Sequence, residues 1–259
     1  MDLHLTGQTA LITGASKGIG LGIAQCFAGE GCDLRLVARS GELLEREAEA
    51  IRTATGVDVR TLALDLSDEG SRQRMMAAWP DIDVLVNNAG DIPGGSIDDV
   101  DDAAWRAGWD LKVFGYISLT RYYLARMKEK HQGAIINVIG AAGERPLAQY
   151  IAGSMGNSSL MSMTMALGAE SPDYGVRVIG VNPGPIATDR IIKLTRGWAE
   201  SRLGDADRYE ELLATSPFGR AGEVDEVAST VVFLASRRSG YTSGTIVTID
   251  GGWANRPTG

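Results

Sequence analysis

Short, mostly apolar runs alternate with longer helical patterns from one end of the chain to the other. The runs are TALIT (9–13), DLRLVA (33–38), VRTLAL (59–64), DVLVN (83–87), AIINVI (134–139), VRVIGVN (176–182) and TIVTI (245–249). Their length and β-branched content fit strands buried in a sheet. Stretches such as GELLEREAEAIRTATG (41–56) and EVDEVASTVVFLASR (223–237) lie between them and read as helices. Seven such alternations predict an α/β fold, a doubly wound parallel sheet of seven strands with helices on both faces. No linker interrupts the pattern, so residues 1–259 are expected to form one domain. The longest irregular-looking stretch runs from Asn182 to Phe218, just after a strand. Loops at strand C-termini carry ligand contacts in such sheets, which marks residues 185–218 as the expected substrate lid.

Composition narrows the classes. The 259 residues are 44% hydrophobic and 22% charged, with a net charge of −8. An acidic chain argues against a polyanion-binding surface, so no nucleic-acid partner is expected. No apolar run approaches the roughly 18 residues of a membrane span. The N-terminus, MDLHLTGQTALIT, lacks the basic segment and long apolar core of a signal peptide. A cytoplasmic protein with no membrane partner is the expectation. The two cysteines, Cys26 and Cys32, fall in or just after one predicted helix, where reduced thiols fit better than a disulfide. The two histidines, His4 and His131, stand far apart without partners at ligand spacing, so no metal is expected.

Chemistry enters after the first strand, which runs straight into TGASKGIG (13–20) and then a helix. Gly14, Gly18 and Gly20 allow a tight turn, close approach to a pyrophosphate and close helix–sheet packing. The helix N-terminus adds unpaired N–H groups and the positive end of its dipole. Ser16, Lys17 and Ile19 complete this candidate dinucleotide cradle. An acidic residue at the end of the second strand would accept hydrogen bonds from a ribose 2′-hydroxyl. Here Ala38 and Arg39 stand there instead, with Lys17 in the glycine turn. Two cations around one 2′-oxygen favour a 2′-phosphate, hence NADP(H). The competing reading of both is as solvated surface charges.

Together TGASKGIG, NNAG (87–90), PGPIAT (183–188) and the closing SGTIVTIDGG (243–252) resemble the short-chain dehydrogenase/reductase family, across nearly the whole chain. The resemblance implies a Rossmann-type fold and places Asp65 and Leu66 beside the adenine. It has Asn88, Ala89 and Gly90 line the cofactor, and Pro183, Gly184, Ile186 and Thr188 hold its nicotinamide end. It also implies a homodimer or homotetramer built on the helices after the fourth and fifth strands, and a small-molecule substrate.

The family's chemistry rests on Asn, Ser, Tyr and Lys, with the tyrosine as proton donor and the lysine lowering its pKa. Aligned without gaps from NVIGAAG to ALGAESPDYGVRV, Ser falls on Gly140, Tyr on Gly153 and Lys on Asn157, while Asn falls on Lys112. A second alignment slides Tyr150 into the tyrosine's place and Ser154 into the lysine's. It needs an insertion that rotates the helix, and the ungapped one is preferred. In both the lysine is absent. Tyr150, one helical turn before Gly153, could lean its hydroxyl over the gap there, and Lys112 could reach the space of the missing lysine. Tyr150 is equally readable as packing at a helix start, and Lys112 as a solvated helix residue. Asn157 is expected to retain part of the lysine's hold on ribose hydroxyls. Gly153 and Gly156 inside a helix each cost about 1 kcal/mol. An enlarged pocket is the expected compensation, with close helix contact as the rival. Restoring Ser, Tyr and Lys at 140, 153 and 157 is then expected to raise ketone reduction.

Three functions stay open on this reading. The first is an NADP(H)-dependent oxidoreductase acting on a carbonyl or alcohol, with Tyr150 as acid and Lys112 assisting. The second is a catalytically inactive NADP(H)-binding sensor or partner subunit, and the third a non-redox lyase or isomerase. An unassisted tyrosine ordinarily titrates near 10, so reduction, which uses the protonated phenol, is the less impaired direction.

Overall fold

The computed structural model describes residues 1–256. Its centre is one sheet of seven parallel strands in the order β3-β2-β1-β4-β5-β6-β7. β1 (Thr9–Thr13) and β2 (Asp33–Ala38) begin and end where their apolar runs do. β3 (Val59–Ala63), β4 (Val84–Asn87), β6 (Val176–Pro183) and β7 (Ile246–Ile249) differ from theirs by one residue at an end, and β5 (Gly133–Val138) is shifted by one residue. The burial explains why some runs read more clearly than others. All four residues of central β4 are buried, whereas edge β3 has only Val59 buried and edge β7 has none fully buried.

Side chains alternate between two cores, as the pleat demands. Ile12, Leu34, Leu36, Val86 and Ile136 pack on one face under α1 (Gly18–Gly29), α2 (Gly41–Thr55) and α9 (Val224–Ala235). Leu11, Val37, Leu85 and Ile135 pack on the other under α3 (Glu69–Ala78) and α5 (Gly115–Lys130). Each helix lies between consecutive parallel strands, which is what fixes the C-terminal strand ends as one shared rim.

Two features of that rim matter for the site. α4 (Asp102–Trp109) and α5 are joined by a π-helical segment, Asp110–Phe114, which carries Lys112. Such bulges re-aim side chains and recur at functional sites. α6 (Ile151–Glu170) starts at Tyr150, which caps it without a side-chain hydrogen bond.

The stretch from Asn182 to Phe218 is not irregular. It contains α7 (Asp189–Leu203) and α8 (Tyr209–Ala214). Thr188 caps α7 by accepting from the Ile191 amide, and left-handed Gly204 ends it. The sequence hid this helix because its apolar stripe is thin: only Thr195 and Ala199 are buried. No helix among the described residues is long and apolar enough to cross a membrane.

Candidate active site

The glycine turn is built from backbone filling the space of absent side chains. A Cβ on Gly20 would lie 2.3 Å from the Gly14 carbonyl oxygen, and Gly14 itself has φ +69°. Thr13 locks the turn to the next loop, its hydroxyl accepting from the amides of Asn88 (2.9 Å) and Ala89 (3.0 Å). The Asn88 side chain answers by donating to the Thr13 carbonyl at 2.9 Å. Lys17 occupies the N-cap of α1 without a side-chain cap, and no acidic residue stands in the first turn. The first N–H groups of α1 are thus free of any side-chain acceptor, which fits an anionic pyrophosphate.

Arg39 emerges at the end of β2 and is 60% exposed, beside Asp65, whose carboxyl is held below its usual range chiefly by the Ser67 amide. Leu66 is buried in the second core and Ile186 in the first, so each can offer only main chain to a ligand. Gly184 packs on Asp250 and Gly18 on the Thr188 methyl, which draws the end of β6 onto the glycine turn.

At the catalytic end the spaces over glycines are filled by side chains. A Cβ on Gly153 would fall 2.0 Å from Cζ of Tyr150, so the phenol ring lies over Gly153, as proximity on the helix suggested. Gly156 faces Val113, Ile92 and Trp109. Trp109 also donates its indole N–H to the Ala152 carbonyl at 2.9 Å. The expected enlarged pocket is therefore absent at these positions: their volume is spent on packing within the chain, between α6, the π-helical segment and the loop after β4. Gly140 has φ +138°, and a Cβ there would meet Asn157 Nδ2 at 2.8 Å. Restoring Ser and Tyr at 140 and 153 is corrected on both counts, strained backbone at one and an occupied volume at the other.

Asn157 is only 2% exposed and its side-chain carbonyl oxygen has no partner. An orphaned buried acceptor is what a hydroxyl-bearing ligand would satisfy, so the residue fits a ribose. Ser154, in contrast, is tied into the chain by accepting from the Leu147 amide at 3.0 Å. The lysine's work is thus unavailable to it.

Lys112 lays its stem against Gly90, whose Cβ would come 2.9 Å from the lysine Cδ. Its ammonium donates to the Ile139 carbonyl beside Gly140. The residue keeps some exposed surface, but its charged end is crowded by protein. That burial first, then the charge of Arg190, pulls the ammonium down to about 7. A lysine half-charged at neutral pH can give or take a proton there.

Two residues that sequence reasoning missed complete the cluster. Arg190, in the first turn of α7, donates to the Tyr150 hydroxyl at 3.1 Å and to the Ile92 carbonyl at 3.0 Å. Its other terminal nitrogen pairs with Asp91 at 3.1 Å, and the second oxygen of Asp91 faces Arg39 at 3.4 Å. Asp91 immediately follows the NNAG motif, and that adjacency was the one signal available. Elsewhere, Cys26 and Cys32 are free thiols, and burial pushes Cys32 up to about 12, which leaves it unreactive. No group of metal-ligating side chains occurs among the described residues.

A parallel sheet with this strand order, a glycine turn at the first βα junction and ionisable groups on the same rim define a nucleotide-dependent oxidoreductase scaffold. The chain matches the Enoyl-(Acyl carrier protein) reductase family model over residues 14–254. It belongs to the short-chain dehydrogenase/reductase family, whose members here act on alcohol, carbonyl or ketoacyl substrates. It is 33% identical to the NADP-dependent (R)-specific alcohol dehydrogenase of Lentilactobacillus kefiri, covering 98% of this chain and 99% of that one. Galactitol 2-dehydrogenase (L-tagatose-forming) of Cereibacter sphaeroides is 31% identical over 96% of both chains. L-Sorbose reductase from Gluconobacter frateurii, solved with NADPH and L-sorbose, superposes with a TM-score of 0.90 at 30% identity, over 99% of this chain and 100% of that one.

Proposed function

We propose that the protein is a cytoplasmic NADP(H)-dependent oxidoreductase that reduces a carbonyl compound at a non-standard active site. Tyr150 is its proton donor and Lys112 assists. One observation carries the reading: the Tyr150 ring fills the volume over Gly153, while the Lys112 ammonium reaches across Gly90 to Ile139, so both face the same rim. When bound, the nicotinamide supplies the hydride. The chain's part is to hold and orient. Gly14, Ser16, Gly18, Ile19 and Gly20 cradle the pyrophosphate, Arg39 and Lys17 take the 2′-phosphate, and Asp65 and Leu66 meet the adenine. Asn88, Ala89, Gly90 and Asn157 take the ribose side, with Pro183, Gly184, Ile186 and Thr188 behind the nicotinamide.

Relatives that use NADP or NADPH by name support the cofactor, and so does a cation at the end of β2 where an acid would exclude the phosphate. Residues 185–218 act as the lid of a single domain. Copies associate through α5 and α6, where Phe114, just before α5, and Met155 and Met165 on α6 are 51%, 48% and 45% exposed.

The test follows absorbance at 340 nm with NADPH and a panel of simple ketones and keto sugars. Wild type is expected to turn over at least one of them, and Tyr150→Phe to lose about 10²–10⁴-fold in kcat, the usual worth of a general acid. Arg39→Asp should narrow the preference for NADPH over NADH by about 1.5–3 kcal/mol, one charge-assisted contact. Tight NADPH binding with no turnover would make this a binding protein, and turnover without net cofactor change a lyase or isomerase.

A further inference from the structure

We infer that Arg190, seated by Asp91, is the positioning cation for Tyr150, doing from the lid helix what the family assigns to a lysine four residues after its tyrosine. The inference rests on Tyr150 as the proton donor and says what makes it one.

A phenol that gives its proton to a substrate oxygen keeps the electron pair and becomes negative, while the substrate oxygen becomes a hydroxyl. A donor aimed at the phenol oxygen strengthens as that charge develops, and a charged donor does so most. Arg190 is aimed there at 3.1 Å. Its direction is fixed on two other sides, by Asp91 at 3.1 Å and by the Ile92 carbonyl at 3.0 Å. The planar guanidinium therefore has little freedom left to lose when the charge appears.

The phenol is fixed from its own side as well. The backbone at Tyr150 bridges Gly95, with the Gly95 amide donating to Gln149 at 2.9 Å and the Ile151 amide to Gly95 at 3.3 Å. Gly153 leaves room for the ring to lie flat on α6. The loop 91–95 thus holds Arg190 by its start and Tyr150 by its end.

The other ionisable groups here do not compete for the role. Lys112, from the π-helical segment, donates to Ile139 and is only partly charged at neutral pH. Tyr116, from α5, is buried, donates to the Val138 carbonyl at 2.9 Å, and is pushed far up by desolvation. Asp91 is shared between Arg190 and Arg39. An arginine stays charged across the working range, so Arg190 is the permanent cation of the group.

The consequence is a dependence on the lid. Arg190 stands two residues after the Thr188 cap of α7, and its neighbour Asp189 pairs with Lys17 in the glycine turn at 3.3 Å. The cation reaches Tyr150 only while the start of α7 sits on the loop after β4.

The experiment uses the full chain with NADPH and the ketone turned over fastest by wild type. Arg190→Met is expected to lower kcat about tenfold to a hundredfold, the worth of one hydrogen bond to a charged group. KM and the calorimetric NADPH affinity should change less than about threefold. Arg190→Lys should recover part of the rate, and added guanidinium ion should rescue Arg190→Ala but not Tyr150→Phe. Asp91→Asn, which keeps the cation and loosens its seat, should fall between. Wild-type kcat in Arg190→Met, beside an inactive Tyr150→Phe, would overturn the role of Arg190 and leave Tyr150 standing. Loss of NADPH affinity in step with kcat, with no guanidinium rescue, would overturn it too, as a lid-packing effect. A fully active Tyr150→Phe would remove the reading beneath both.

Discussion

The two ends of the cleft are both rich in glycine, and they use it in opposite ways. Around the glycine turn, the tightest space denied to a side chain is taken by backbone: the Gly14 carbonyl sits where a Cβ of Gly20 would go. Around α6, it is taken by side chains: Tyr150 over Gly153, Asn157 against Gly140, Lys112 over Gly90. Backbone cannot yield without unmaking the turn, whereas a side chain can be exchanged for another that fills the same volume. The first arrangement is closed to substitution. The second can be rebuilt with different groups while the helices stay in place, and it is the one that holds the proposed proton donor.

The largest effect should come from placing a methyl at the closed end. Gly20→Ala would set carbon against the Gly14 carbonyl oxygen and the Asn88 side chain, which donates to that oxygen and to the Thr13 carbonyl. Overpacking of this kind costs about 1–3 kcal/mol, and the turn that must shift is the phosphate cradle. Calorimetry should find NADPH affinity lowered by about tenfold or more, the same energy expressed as binding. Unchanged affinity would mean that the turn can relax, and the contrast between the ends would go with it.

A smaller and more diagnostic effect belongs to the open end. Gly153→Ala should destabilise by about 1–2 kcal/mol, because the Tyr150 ring has to swing away. In a Tyr150→Ala background the same change should instead stabilise by about 1 kcal/mol, through helix propensity alone. Urea unfolding of the four proteins measures the cycle. Equal effects in both backgrounds would show that ring and glycine are not in contact.

The least effect is one of slope. Lys112 titrates at about 7 in the folded chain and, like any lysine, near 10.4 when unfolded. Between those values the unfolded chain binds more protons, so this residue makes stability rise as pH climbs through that window. Lys112→Met should flatten the rise between pH 7 and 9 in unfolding midpoints, and a parallel pair of curves would refute the buried ammonium.

How much of this was legible follows from the same division. Strands β1 to β7 and the glycine turn are written in contiguous residues, so periodicity and spacing recover them. Edge strands blur because half their side chains face outward, as in β3. α7 was missed because a thin apolar stripe gives little period to read. At the site, the proposed pair Tyr150 and Lys112 could be named from sequence because the ungapped alignment sets Tyr150 one helical turn before Gly153 and Lys112 on a neighbouring helix. Arg190 could not, since it reaches Tyr150 from 40 positions away and Asp91 from 99. For Gly153 the sequence pointed to Tyr150 leaning over the space, but not to the ring filling it in place of a ligand.

The ring over Gly153 also bears on descent. A tyrosine at 150 lying flat on the helix and any side chain at 153 exclude one another. No single substitution leads from this arrangement to one with tyrosine at 153, because each intermediate either crowds the two or has no phenol at all. If Tyr150 is the proton donor, selection for activity also holds a glycine at 153 behind it. The two positions are then coupled, and a change at either is tolerated only with a matching change at the other.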